Sequence, residues 1–177
     1  LTAALAHRGP DGAGVHIQGQ VLLAHTRLAI IDLATGDQPL FAPGGLALVA
    51  NGEVYNYREL RAAMPAVAFA TQSDCEPPLH LYRAHGLDFT AEMRGMYAVA
   101  LHDPESRTLV LARDPFGIKP LYWADDGWTL RFASQAKALL AGGKLICQPD
   151  PAGIVGFPLF GSVPEPFTVW RGIRALP

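Results

Sequence analysis

Cysteine is scarce in this chain: Cys75 and Cys147 are the two among 177 residues. Two such positions make neither a disulfide framework nor a zinc-ligand pattern, so a reducing, cytoplasmic setting is expected. An excess of one charge is lacking too. The formal net charge is −2 and no basic stripe runs along the chain, which argues against nucleic acid or an anionic membrane surface as partner. No apolar run approaches the ~20 residues of a membrane-spanning helix. Leu1–Ala6 is short and has no basic leader, so it does not read as a secretory signal. Neither G-x-x-x-x-G-K-[ST] nor G-x-G-x-x-G after a strand is present, so no phosphate loop and no cofactor are expected in this domain. His16, His80, His85 and His102 are dispersed without ligand spacing, and no metal is expected.

What is present suits a folded domain. The length fits one domain, or one domain and the start of another, and half the residues are hydrophobic. The 18 glycines and 15 prolines are scattered, as in many turns between short elements. Leu1–Ala6 reads as the last turn and a half of a helix, running into the turn His7-Arg8-Gly9-Pro10-Asp11-Gly12; further sequence before it is expected. Strand signals fall at 21–24, 28–31, 46–50, 97–101, 108–112, 121–123 and 130–133. Asp103-Pro104-Glu105-Ser106 and Asp125-Asp126-Gly127 each predict a hairpin turn. Helices are predicted over 58–64, from Ser73-Asp74 as caps to a stop at Gly86, at 90–93, and over 135–140 capped by Ser134. This order favours α+β layers over alternating parallel units. A composition shift after Gly143 divides residues 1–143 from 144–177. The latter read as a linker, the opening of a further domain, or an arm packed back on the first.

Four separated segments carry polar chemistry: His25-Thr26-Arg27, Asn51-Gly52-Glu53, Ser73-Asp74-Cys75-Glu76 and the long turn Arg113–Tyr122. Asn51-Gly52 at a strand end sets an amide side chain beside a backbone N–H with no Cβ in the way, the donors a developing oxyanion needs. The same dipeptide is also an ordinary turn. Arg27 also reads as a surface arginine, Asp74 as a helix N-cap and Glu53 as a solvated turn residue.

These segments, with His7–Gly12, Asn51–Arg58, Thr71–Glu76, Arg94-Gly95-Met96, Phe132-Ala133-Ser134 and Trp170-Arg171-Gly172-Ile173, resemble the glutaminase domain of class II glutamine amidotransferases. The likeness covers essentially the whole chain and is greatest to glutamine-hydrolysing asparagine synthetases. It implies the αββα sandwich of N-terminal nucleophile hydrolases, with antiparallel sheets, and hydrolysis of glutamine to glutamate and ammonia. It implies Arg27 for the substrate carboxylate, Asp74 for its ammonium, Asn51 and Gly52 as the oxyanion hole, and Glu53 at the substrate amide or the loop. It further implies a C-terminal synthetase domain using ATP and Mg to activate aspartate, and leaves a homodimer possible. In that family the nucleophile is an N-terminal cysteine whose α-amine is the base. Here Cys75 reads as a small buried residue and Cys147 has no role, so the resemblance implies either a cysteine in preceding sequence or a relative without one. A non-catalytic domain and a glutamine-sensing module stay open beside the glutaminase. His7 and His25 are expected to be structural, and Arg113 and Asp114 to order their turn by hydrogen bonding.

Overall fold

The structure is a computed structural model that describes residues 2–145 and 147–177; Leu1 of the expected N-terminal helix lies outside these. The chain opens with a short helix α1 (Thr2–Leu5) and a 3-10 turn (Ala6–Arg8). The hairpin β1 (Gly12–Gln18) and β2 (Val21–Arg27) follows, antiparallel in register Gly12↔Arg27 to Gln18↔Val21. Strand β1 alternates half-buried and exposed residues, and its glycines and polar residues give no apolar run to read. The expected strand 28–31 is instead loop. Its apolar residues do not pack as a strand would: Leu28 and Ile30 are largely exposed.

A four-stranded antiparallel sheet forms the centre. It is built in spatial order from β3 (Leu40–Ala42), β4 (Leu46–Val54), β5 (Gly95–Asp103) and β6 (Thr108–Arg113). The predicted Asp103–Ser106 turn joins β5 to β6: Asp103 Oδ1 accepts Glu105 N–H at 2.9 Å and its Oδ2 the Ser106 hydroxyl at 2.8 Å. Between β4 and β5 run α2 (Tyr57–Ala63), α3 (Pro77–His85) and a 3-10 stretch (Gly86–Glu92) where a helix over 90–93 was expected. Successive strand side chains point to opposite faces. On one face Leu46, Leu48, Ala50, Val54, Tyr97, Val99 and Leu101 pack with Leu60 of α2, Leu79 and Leu81 of α3, and Phe89. On the other, Ala47, Val49 and Ala100 meet Leu23 of β2, with Phe132 alongside. Both faces are covered, which is why 46–50 reads as an unbroken apolar run.

A second sheet has the order β8 (Leu130–Ala133), β7 (Tyr122–Asp125), β9 (Arg174–Ala175), all antiparallel. Its outer face, through Ala124 and Ala133, packs on Ala138 and Leu139 of α4 (Ala136–Ala141), with Ala4 and Leu5 of α1 and Ile173 beside them. Gln135, not Ser134, precedes α4, and no side chain caps it. Residues 144–177 contribute α5 (Pro151–Phe160) and β9. The layers run helix, sheet, sheet, helix, an α+β architecture with antiparallel sheets throughout. No described helix is long and apolar enough to cross a membrane.

Candidate functional site

Strand β4 does not end at Ala50, as its apolar run suggests, but continues through Asn51, Gly52 and Glu53 to Val54. Asn51-Gly52 is therefore strand and not a turn. Alternation puts Asn51 and Glu53 on the face of Ala47 and Val49, away from α2 and α3. The backbone is placed by the same alternation. The Ala50 N–H donates to Gln38 Oε1 at 2.6 Å and the Val54 N–H to Asp74 Oδ2 at 2.9 Å. Both leave β4 on the edge away from β5, beyond the short β3. The Gly52 N–H, between them by steps of two, points to that edge as well. Residue 52 must be glycine: a Cβ there would lie 2.1 Å from the Met96 carbonyl oxygen of β5, and φ is +154°.

The edge and the Asn51 face open into one cavity of about 1050 Å³ between the sheets. Arg27, Asn51, Gly52, Glu53 and Asp74 all line it, so the five predicted site residues, from three separate segments, share one space. It exceeds the ~300–1,000 Å³ that encloses drug-sized ligands. An amino acid would occupy part of it. Free sheet edges bound it from two sides, since β2 and β8 each end a sheet and both contribute lining.

Arg27 ends β2 and is buried. Its Nη1 meets Asp37 Oδ1 at 2.8 Å, and its Nη2 donates to the carbonyls of Ile31, at 3.3 Å, and Asp32. The loop after β2 thus wraps the guanidinium; among the described residues nothing accepts from Nε. Nearby His25 hydrogen-bonds the Ala50 carbonyl at 3.1 Å, a structural role as expected. Burial, and next the neighbouring Arg27, hold His25 below the usual imidazole range despite that bond.

Asp74 is not a helix cap. The residue before α3 is Glu76, without a side-chain cap bond, and Pro77 and Pro78 need no donor satisfied. Asp74 instead bonds β4 through Val54, which fixes its carboxylate at the strand edge. Glu76, 1% exposed, lies in a segment that the sequence singles out, but no role was assigned to it there. It accepts from Ala70 N–H at 2.7 Å, Thr71 N–H at 2.8 Å and the Thr71 hydroxyl at 2.6 Å. Burial opposes its charge, yet these bonds hold the carboxyl below the usual range. Arg61 lies 3.5 Å from Glu76 and donates to the Ser73 carbonyl at 2.8 Å. The strand-to-helix loop is thereby gathered around a buried anion, with Asp74 left facing the cavity. An acidic residue beside a double proline was the only hint in the sequence.

Cys75 is buried, as expected. Burial, and then the Asp74 carboxylate 3.6 Å from its Sγ, push the thiol well above its ordinary pKa. It is thus a poor thiolate source. At the far lip Asp114 accepts from the amides of Ile118 at 2.9 Å and Lys119 at 3.0 Å, and Arg113 donates to the carbonyl of Gly117 at 2.6 Å. Each orders the turn separately, as expected; Arg113 pairs with Glu165 at 2.9 Å. Asn56 closes the β4 exit, accepting from Arg94 N–H at 2.8 Å and donating to the Glu92 carbonyl at 2.9 Å. No group of metal-holding side chains occurs among the described residues.

Residues 1–177 match the profile of a glutamine amidotransferase domain. The chain is 46% identical over 142 residues to a glutamine-hydrolysing asparagine synthetase of Triphysaria versicolor, covering 78% of this chain and 24% of that protein. It is 42% identical over 142 residues to one of Bacillus subtilis (strain 168), covering 80% of this chain and 19% of that protein. Among solved structures, glutamine phosphoribosylpyrophosphate amidotransferase from B. subtilis superposes with a TM-score of 0.66 at 25% identity, over 85% of this chain and 42% of that one. The chain spans about a quarter of the length of its first plant relatives, 24% in each case.

Proposed function

The chain belongs to the glutamine amidotransferase domain family, and from that premise we propose that it binds L-glutamine between its two sheets as the glutaminase part of an asparagine synthetase-like enzyme. The carrying observation is the convergence of Arg27, Asn51, Gly52, Glu53 and Asp74 on one cavity. Glutamine is a zwitterion with a neutral side-chain amide. Arg27 takes its carboxylate through its charge and the Nε–H, the donor that the surrounding loop leaves without an acceptor. Asp74 and Glu53 take the cationic end and the amide. The Asn51 side chain and Gly52 N–H point donors at the amide oxygen, where negative charge develops.

Hydrolysis requires a thiolate that neither Cys75 nor Cys147 supplies. In this reading the attacking cysteine is one that residues 1–177 do not contain. Its α-amine accepts the thiol proton and the sulfur bonds the amide carbon. The oxyanion sits on Asn51 and Gly52. As it collapses the C–N bond breaks, the α-ammonium returns that proton to the leaving nitrogen, and ammonia departs, leaving a thioester. Water then cleaves the thioester to glutamate. The rest of the protein uses ATP and Mg to activate aspartate for amidation, in the cytosol.

Calorimetry with L-glutamine tests the binding half on this chain alone. Binding that Arg27→Ala and Asp74→Asn each abolish is expected; unchanged affinity in either variant removes that residue from the site.

A further inference from the structure

Helix α5 is built inside out. Its ten residues, Pro151–Phe160, contain no charged or polar side chain, and its buried positions are Gly153 and Gly156. These glycines let the helix backbone lie against the chain that returns beside it. A Cβ at Gly153 would come 2.1 Å from the Thr168 carbonyl oxygen, and one at Gly156 2.3 Å from Pro164 Cδ. The large side chains face outward: Ile154 is 47% exposed, Val155 57%, Phe157 58%, Leu159 69% and Phe160 71%. The helix is nonetheless held firmly. Asp150 caps it through Ala152 N–H at 3.0 Å and pairs with Arg174 at 2.8 Å, while Gly161 ends it in the left-handed conformation.

We propose that this face is a docking surface for the ATP-dependent domain carried on the same polypeptide. The inference rests on the reading above for the identity of that domain. Two observations select this occupant. The outward side chains offer on the order of 500 Å² of apolar surface. That is below the ~800 Å² per partner of a free-standing complex, but suits an interface between domains of one chain, where the tether supplies a high effective concentration. Arg174 and Ala175 also pack against this region. The Arg174–Asp150 pair and the Ala175 N–H to Pro166 carbonyl bond, at 3.0 Å, hold the last residues beside the start of α5. The aligned part is 24% of the matched relative's length, so roughly three times as much chain lies outside it. A membrane surface is the poorer occupant, because an interfacial helix carries a basic polar face and α5 has none.

Hydrogen exchange on the full-length protein tests the proposal. The amides of 152–160 exchange at least tenfold more slowly there than in the 177-residue chain, and Phe157→Ser with Phe160→Ser returns the full-length rate toward that of the shorter chain. Equal exchange in both proteins overturns the proposal. So does protection in the shorter chain that rises with its concentration, which would assign the face to a second copy. Glutamine calorimetry on the double variant keeps the two readings apart: affinity is unchanged if the cavity reading holds, whatever becomes of α5.

Discussion

Toward α2 and α3 the four-stranded sheet presents Leu46, Leu48, Tyr97, Val99 and Leu101; toward the other sheet it presents Ala47, Val49, Ala98 and Ala100. The backbone is the same for both faces. On the first, large side chains interlock with two helices and leave a dense core. On the second, small ones stand back and a cavity of about 1050 Å³ remains, with Asn51 and Glu53 at its end. In the proposed reading stability resides on one face and glutamine binding on the other, and a single strand, β4, supplies both by alternating.

The largest expected effect comes from confusing the two faces. Leu48 is fully buried, and Leu48→Ala should cost about 2–5 kcal/mol in chemical denaturation. Ala98→Leu, where the cavity can take the added atoms, should cost about 1 kcal/mol, the low end for a small-to-large change, and yet abolish glutamine binding by calorimetry. Equal stability losses at both sites would break the comparison. Next is Asn51→Ala, expected to lower the glutaminase kcat of the full-length enzyme by about 10²–10³ while leaving its melting temperature nearly unchanged. A variant with normal turnover would take Asn51 out of the oxyanion hole.

Glu76→Gln sharpens the comparison, because this residue links the faces. Turning an anion amid three donors into an amide should cost about 1–3 kcal/mol. It should also raise the KM for glutamine more than it lowers kcat, as Asp74 loses its fixed position. A loss of stability with unchanged KM would confine Glu76 to scaffolding. The smallest effect is from pH. Burial holds both His25, on the cavity side, and His80, on the helix side, below the usual imidazole range. Unfolded histidine takes a proton near pH 6.5 and the folded chain resists it. Stability is therefore full above that pH and is lost as pH falls toward the lower folded values. A drop of about a few degrees in melting temperature between pH 7.5 and 5.5 is expected. His25→Gln and His80→Gln should each shallow it, and a flat profile in the parent chain would contradict both assignments.

Much of the fold was legible because its strands are covered. The unbroken apolar runs of β4, β5 and β6, and the turns at Asp103–Ser106 and Asp125–Gly127, stand out in the sequence. Strands β1 and β3 do not: one is glycine-rich and half solvated, the other spans three residues. Residues 28–31 look like a strand, yet they form the loop that wraps Arg27. The residues of the proposed site were named through the family resemblance, with which the chemistry of glutamine agrees. The geometry was not legible: sequence places Asn51-Gly52 at the end of a strand, while pairing to β5 carries it inside one. The anchoring role of Glu76 went unread because two of its three donors are backbone amides, which leave no mark in the residue types. Helix α5 escaped notice because its buried face is glycine and its exposed face apolar, the reverse of the periodic signal.

The central claim is that the edge of β4 delivers donors to glutamine held between Arg27 and Asp74. Amide-resolved NMR of the 177-residue chain, titrated with L-glutamine, tests it most directly. The account predicts saturable shifts of the Gly52 N–H and the Asn51 side-chain amide, lost in Arg27→Ala, with the α5 amides unmoved. Saturable binding that leaves both Gly52 and Asn51 unshifted would contradict it.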